Sequence, residues 1–241
     1  MRYAILGDIH ANLEALKAVL LDCKKEAVDR YFCLGDIVGY GPNPCECIRK
    51  IKEFSAVSVC GNHDWAVVDL FSLEYFNDEA KEALFWTKKY ITEEESFLLG
   101  LPLVYQDNAL TLVHATLNSA IDFNYLENLE DAQQTFALLK TQVCFVGHTH
   151  CPKIFFKDDK AKVFCRQENS IAIKEGWQYI INVGSVGQPR DGDWRASYCL
   201  YDSANREVRV KRIGYDVETT SKKILQAGLP SSLATRLLIG R

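Results

Sequence analysis

All five histidines of the 241-residue chain, His10, His63, His114, His148 and His150, stand just after short apolar runs, as do Asp8, Asp36, Asn62 and Asp64. Most of these groups are introduced by a glycine, as in Gly7-Asp8, Gly35-Asp36, Gly61-Asn62 and Gly147-His148. Histidines kept for packing or solubility have no cause to collect only there, so the coincidence points to one shared site. Carboxylate, imidazole and carboxamide together suit borderline divalent ions such as manganese, iron, zinc, cobalt or nickel. Aspartates alone would favour magnesium or calcium. His148 and His150, at i and i+2 of an extended segment, can aim the same way, although an isolated His-x-His pair is more often a pair of surface or hydrogen-bonded histidines.

The inventory is large enough for two ions. Two dications facing Asp8 and Asp36, with a bridging hydroxide counted, keep roughly one positive charge, so the site should attract an anion. Two metals ~3.5–4 Å apart can activate that hydroxide and clamp the oxygens of an in-line displacement at phosphorus. The chemistry implied is hydrolysis of a phosphate ester.

The elements that must position these groups follow from periodicity. Apolar runs at 3–6, 31–34 and 57–60 read as strands, and helices are expected over about 12–25 and 44–54 between them. That order implies a parallel sheet with helices on its faces, whose strand carboxyl ends form the usual ligand crevice. A helical insertion is expected over about 65–101, with Asn77 as a helix cap, a Thr92–Glu95 capping box, and Trp65, Phe71, Phe85 and Trp86 in the core. Further strands are expected at 110–113 and 143–146, around a helix over about 126–140. From about 154 onward the segments are short and rich in β-formers, as in antiparallel strands, before a helical tail over about 216–240 with a break at 228–230. With no repeat or linker, residues 1–241 read as a single domain.

Composition sets the limits. At 48% hydrophobic and 25% charged residues the chain is ordinary for a globular protein, and a net charge of −4 argues against non-specific nucleic-acid binding. No stretch is apolar enough for a membrane span, and the amino terminus lacks a signal-peptide layout, so a cytoplasmic protein is expected. The nine cysteines include no Cys-x-x-Cys pair and read as reduced thiols rather than disulfides or a zinc site. Oligomeric state is left open, a homo-oligomer included.

Asp8-Ile9-His10, Gly35-Asp36, Gly61-Asn62-His63-Asp64, His114 and Gly147-His148-Thr149-His150 together resemble the motif series of the calcineurin-like metallophosphoesterases, in that family's order. The stretch from Asn182 to Arg190 resembles the segment that follows in its small bacterial and archaeal phosphodiesterase-like members. The resemblance implies an α/β fold, a four-layer α-β-β-α sandwich of two mixed β-sheets. It implies one metal at Asp8, His10 and His150, a second at Asn62, His114 and His148, and Asp36 as the bridge. His63 would contact the substrate phosphate and protonate the leaving oxygen, with Asp64 orienting it.

One departure bears on substrate. Protein phosphatases and symmetrical dinucleoside tetraphosphatases of the family resemble Gly-Asp-x-Val-x-Arg-Gly, whereas this chain reads Gly35-Asp36-Ile37-Val38-Gly39-Tyr40-Gly41. Loss of that fork-shaped donor counts against phosphomonoesters and favours phosphodiesters, which carry one charge fewer. Tyr40, Asn43 and Arg190 are the expected substrate contacts, and the substrate a small phosphoester or nucleotide-like molecule. The alternatives are a phosphomonoesterase or nucleotide pyrophosphohydrolase on the same site, or a non-catalytic scaffold of the same fold.

Overall fold

In the computed structural model, which describes residues 1–241, β1 (Arg2–Leu6), β2 (Arg30–Cys33) and β3 (Val57–Ser58) pair in parallel, linked by α1 (Leu13–Lys25) and α2 (Pro44–Glu53). α1 buries Leu13, Leu16, Val19, Leu20 and Cys23 on one face, and Asn12 caps it by accepting from the Ala15 N–H. β3 is shorter than expected. Beyond it the Cys60 N–H donates to the carbonyl of Pro102, and the chain turns into α3 (Asn62–Val67).

A 3₁₀ turn at Leu73–Tyr75, α4 (Asp78–Lys88) and α5 (Glu95–Leu99) follow, with Asn77 capping α4 as expected. The Thr92–Glu95 capping box does not form. α5 begins without a side-chain cap, and the adjacent Glu94 pairs instead with Arg49 and Lys52 of α2. Trp65, Phe71 and Trp86 pack against the core, but Phe85 is 57% exposed, on the outer face of α4.

β4 (Val104–Gln106), too short to show a pattern in the sequence, pairs antiparallel with β5 (Leu110–Val113). α6 (Leu129–Leu138) starts later than expected because Asn128 and Asp131 close a capping box there. The rest comprises β6 (Val143–Val146), β7 (Lys153–Lys157), β8 (Val163–Arg166), β9 (Ser170–Ala172), β10 (Gln178–Asn182), β11 (Ala196–Asp202) and β12 (Glu207–Ile213), then α7 (Val217–Gln226) and α8 (Ser231–Ile239).

The strands form two six-stranded mixed sheets, ordered β3-β2-β1-β11-β12-β9 and β4-β5-β6-β10-β7-β8. The pairs β1–β2, β2–β3 and β5–β6 are parallel and the pairs among β7 to β12 are antiparallel, as expected, but the two halves do not form separate sheets. β1 takes β11 as an antiparallel neighbour, and β10 lies parallel to β6, so each sheet draws on both halves of the chain.

Alternation along the strands builds four layers. Tyr3 and Ile5 of β1, with Val143 and Phe145 of β6, fill the space between the sheets. Ala4 and Leu6 face the helices of α1, α2, α7 and α8 on one side, while Cys144 and Val146 face Ala132 and Phe136 of α6 on the other. All nine cysteines are free thiols, and no helix is long and apolar enough to cross a membrane.

Candidate metal centre

Asp8 follows β1, Asp36 follows β2, Asn62 and His63 open α3, His114 follows β5, and His148 and His150 follow β6. The carboxyl ends of the parallel strands of both sheets therefore meet in one place. The loops that carry these residues are bonded to one another. The His10 N–H donates to the Asp36 carbonyl (2.9 Å), the Gly187 N–H and the Ser185 hydroxyl donate to the Asp8 carbonyl (2.9 and 2.7 Å), and the Gly147 N–H donates to the His114 carbonyl (2.8 Å). Two of the introducing glycines are required by this closeness. A Cβ at Gly61 would lie 2.0 Å from Asp36 Oδ1, and one at Gly147 would lie 2.4 Å from Asp8 Oδ2.

The backbone pays for the convergence. Asp8, His10, Asp36, His148 and His150 have φ of 52°, 48°, 49°, 67° and 61°, in the left-handed region. Each such residue costs on the order of 1–3 kcal/mol, and such residues concentrate at functional sites.

Three groups of possible ligand atoms result: Asp8, His10 and His150; Asp36, His114 and His148; and His10, Asp36 and His63, each with its atoms within 4.8 Å of one another. Asp36 Oδ2 lies 3.6 Å from His10 Nε2 and 3.4 Å from His114 Nε2, between the first two groups. Its Oδ1 accepts from the His63 N–H at 2.9 Å.

The donor chemistry fits divalent cations. His10 and His150 place Nδ1 on the carbonyls of Val38 (3.1 Å) and Gln188 (2.6 Å), which only an N–H can satisfy. Each neutral ring then turns an Nε2 lone pair toward the other across 3.0 Å. Two facing lone pairs repel unless a positive centre lies close to both. His114 likewise anchors Nδ1 on the Leu34 carbonyl (2.7 Å) and brings Nε2 to 3.2 Å from His148 Nδ1. Asn62, which lines the same pocket as His148, has a buried Oδ1 with no hydrogen-bond partner.

Protonation points the same way. Burial, reinforced by the neighbouring His150, holds His10 well below the usual imidazole value, and burial with His114 does the same at His148. Burial and the Arg190 charge also lower His150. Burial opposes ionisation of Asp36, yet His114, His63 and His10 together hold its carboxyl well below the usual range. At His114 burial is outweighed by the Asp36 and Asp8 carboxylates, which lift the ring to about 9. Neutral imidazoles and an ionised carboxylate are the forms that metals take up, and at His114 a metal would displace the proton.

His63 presents its ring to a pocket that Tyr40, Tyr75, Phe76, Tyr125, Arg190 and Arg236 help to line. The ring packs between Tyr40 (centroids 4.5 Å apart), His10 and Phe76 (4.9 Å each), and its buried Nδ1 has no partner within the protein. Burial brings its pKa down to about 4. Asp64 does not orient it through a hydrogen bond. The Asp64 carboxylate accepts from the main-chain N–H groups of Ile37 (2.9 Å), Val38 (3.2 Å) and Gly61 (3.1 Å), tying the Asp36 loop to the start of α3. Burial and the nearby Asp36 charge push Asp64 up to about 7, against the bonds from Gly61 and Val38, which favour its charged form.

Of the expected substrate contacts, Tyr40 and Arg190 line the pocket and Asn43 does not. Asn43 flanks the start of α2, where its side chain donates to Glu46, because the turn after Tyr40 carries it away from the cleft. The pocket does not lack arginine either. The Arg190 guanidinium lies 5.7 Å from the centre of the Tyr40 ring, and Arg236 of α8 reaches the same wall. Arg236, Tyr75 and Tyr125 carry no motif; only the chain's return past residue 230 places the first of them here. Tyr125 stacks on His148 with centroids 4.2 Å apart, and Tyr75 is 77% exposed at the rim.

A four-layer sandwich whose strand ends gather histidines and carboxylates beside an arginine-bearing pocket is the arrangement of a metallophosphoesterase. The chain belongs to the calcineurin-like phosphoesterase superfamily, whose domain model matches residues 1–206. It is 41% identical to a metallophosphoesterase from Sphaerobacter thermophilus, with a TM-score of 0.87 and coverage of 100% of this chain and 99% of that one. It is 40% identical over 245 residues to an uncharacterised protein of Methanocaldococcus jannaschii, covering 99% of this chain and 98% of the relative. A symmetrical bis(5'-nucleosyl)-tetraphosphatase of Vibrio vulnificus is 31% identical over 123 residues, 49% of this chain and 45% of that protein.

Proposed function

We propose that the chain, residues 1–241 acting as one domain with a helical insertion over about 65–101, is a phosphoesterase that depends on two divalent transition-metal ions and prefers phosphodiesters. The observation that carries this reading is the pair of ligand groups meeting at Asp36. Asp8, His10 and His150 would hold one ion, Asn62, His114 and His148 the other, and Asp36 both. When bound, such ions supply Lewis acidity toward phosphate oxygens and make water a competent nucleophile near neutral pH.

The chain's own side chains supply the rest. Arg190, held at its Nε and Nη2 by Gln188 Oε1 (3.2 and 2.8 Å), offers its remaining N–H groups to the phosphate. His63, neutral at pH 7, donates a ring N–H to the phosphate. A bound phosphate anion raises its pKa toward the range in which it can hand a proton to the leaving oxygen. Asp64 fixes the two loops that carry Asp36 and His63.

Tyr40 in the place of the family's arginine supports diesters over monoesters, and the arginines the pocket does hold, Arg190 and Arg236, come from other elements. The second reading, a nucleoside polyphosphate substrate, is favoured by the two arginines at the pocket and by the similarity to the tetraphosphatase. A panel tests both, with manganese, iron, nickel or zinc added in turn to bis-p-nitrophenyl phosphate, p-nitrophenyl phosphate, cyclic nucleotides and dinucleoside polyphosphates. The reading expects the diesters to be cleaved with the highest kcat/KM. A strong preference for p-nitrophenyl phosphate would sink the diester choice, and an inert panel would sink the enzyme.

A further inference from the structure

α7 and α8 lie beyond the residues matched by the family's domain model, yet they pack beside the pocket. The packing is specific. Asn12, at the start of α1, donates to the Gly187 carbonyl (2.8 Å) and accepts from the Thr220 hydroxyl of α7 (3.1 Å), so the hairpin is bonded to the loop that follows β10. α8 presents Arg236 to the pocket wall that also holds Tyr40 and Arg190.

The two arginines are half-buried, and neither makes an ion pair with an Asp or Glu side chain. Asp191 and Asp193, which follow Arg190 in the chain, pair with Arg212 and Arg195 instead. Arg190 is held by the side chain of Gln188, and Arg236 by its Nε on the main-chain oxygen of Arg241 (2.6 Å). Burial and the Arg190 charge bear against the charged form of Arg236, and Tyr40 and the more distant Glu79 offset them only in part. Two guanidinium groups at one pocket, neither paired with an Asp or Glu side chain, have donors to spare for an anion larger than one phosphate.

Resting on the phosphoesterase reading, we propose that Arg236 completes a second anion subsite beside the metal centre. Arg190 takes the scissile phosphate and Arg236 the phosphoryl group next to it. The substrate class is then a phosphodiester or phosphoanhydride that bears an adjacent phosphate on the α8 side. Such a substrate unites the diester preference with the cationic wall, since its scissile phosphorus is disubstituted and its extra charge lies one group away.

Equilibrium dialysis of the manganese-loaded protein against AMP and ADP, which differ by one phosphoryl group, tests the subsite, the ADP being the α,β-methylene analogue, whose P–C–P linkage is not hydrolysed. The unaltered protein should bind ADP about tenfold more tightly than AMP, or about 1.4 kcal/mol. Arg236→Gln should bring the ratio to about one, and Arg236→Lys should fall between. A ratio near one in the unaltered protein, or an unchanged ratio in Arg236→Gln, overturns the subsite. Should Arg236→Gln not fold, the same comparison is read from Arg236→Lys, where an undiminished ratio overturns it. Hydrolysis of bis-p-nitrophenyl phosphate is followed in parallel. No turnover of this or any other member of the substrate panel, with the ADP preference intact, would overturn the phosphoesterase reading and leave the subsite standing.

Discussion

His150 uses one ring nitrogen to bond the Gln188 carbonyl and so leaves the other as a lone pair facing that of His10. The tautomer is fixed by the loop behind it, a common way for proteins to prepare an imidazole for a metal. The candidate ligands were legible in the sequence because all five histidines stand at strand ends. Their division between two groups entered only with the family resemblance, and the structure gathers Asp8, His10 and His150 apart from Asp36, His114 and His148. What stayed hidden at this scale was the second shell of bonds, because a carbonyl such as that of Val38 or Gln188 carries no sequence signal. His63 offers the sharpest residue-level prediction. His63→Ala should retain both metals and lose on the order of 10²–10⁴ in turnover of poorly activated esters, with a smaller loss for p-nitrophenyl leaving groups. Metal analysis and kcat on the two leaving-group classes decide it, and loss of one ion would make His63 a ligand.

At the scale of elements, helix faces and strand positions could be read from periodicity, whereas strand partners could not. A period of two says which residues of β1 or β10 point together but not which strand lies beside them, so the long-range pairs β1–β11 and β6–β10 were not legible. Caps decided boundaries where periodicity was weak, as at Asn128 of α6. The loops between elements carry bonds that the sequence does not announce, as at Asp64. Its carboxylate joins the Asp36 loop to α3 through three main-chain N–H groups. Asp64→Asn would set an NH2 group against one of those donors. We expect a loss of about 1–3 kcal/mol in stability, read as a lower Tm, with kcat per folded, metal-loaded molecule largely kept. A collapse of kcat at unchanged Tm would restore Asp64 to a direct role with His63.

At the scale of the whole molecule, two sheets meet at their carboxyl ends and a C-terminal hairpin closes beside the pocket. Charged side chains that motifs spread over residues 8 to 150 are joined there by Arg190 and Arg236 from the later chain. The sandwich could be anticipated from the resemblance, but the hairpin's part in the pocket could not, because helix α8 announces only its own amphipathic face. The left-handed backbone at five candidate ligands and the opposed imidazoles make the centre costly to hold without cations. The protein stripped of metal and titrated with manganese, with bound ion and bis-p-nitrophenyl phosphate hydrolysis followed together, is therefore the most direct test. The expected result is no turnover in the stripped protein and activity that rises to saturation at two ions per chain. Full turnover without metal, or none at two bound ions, would contradict it.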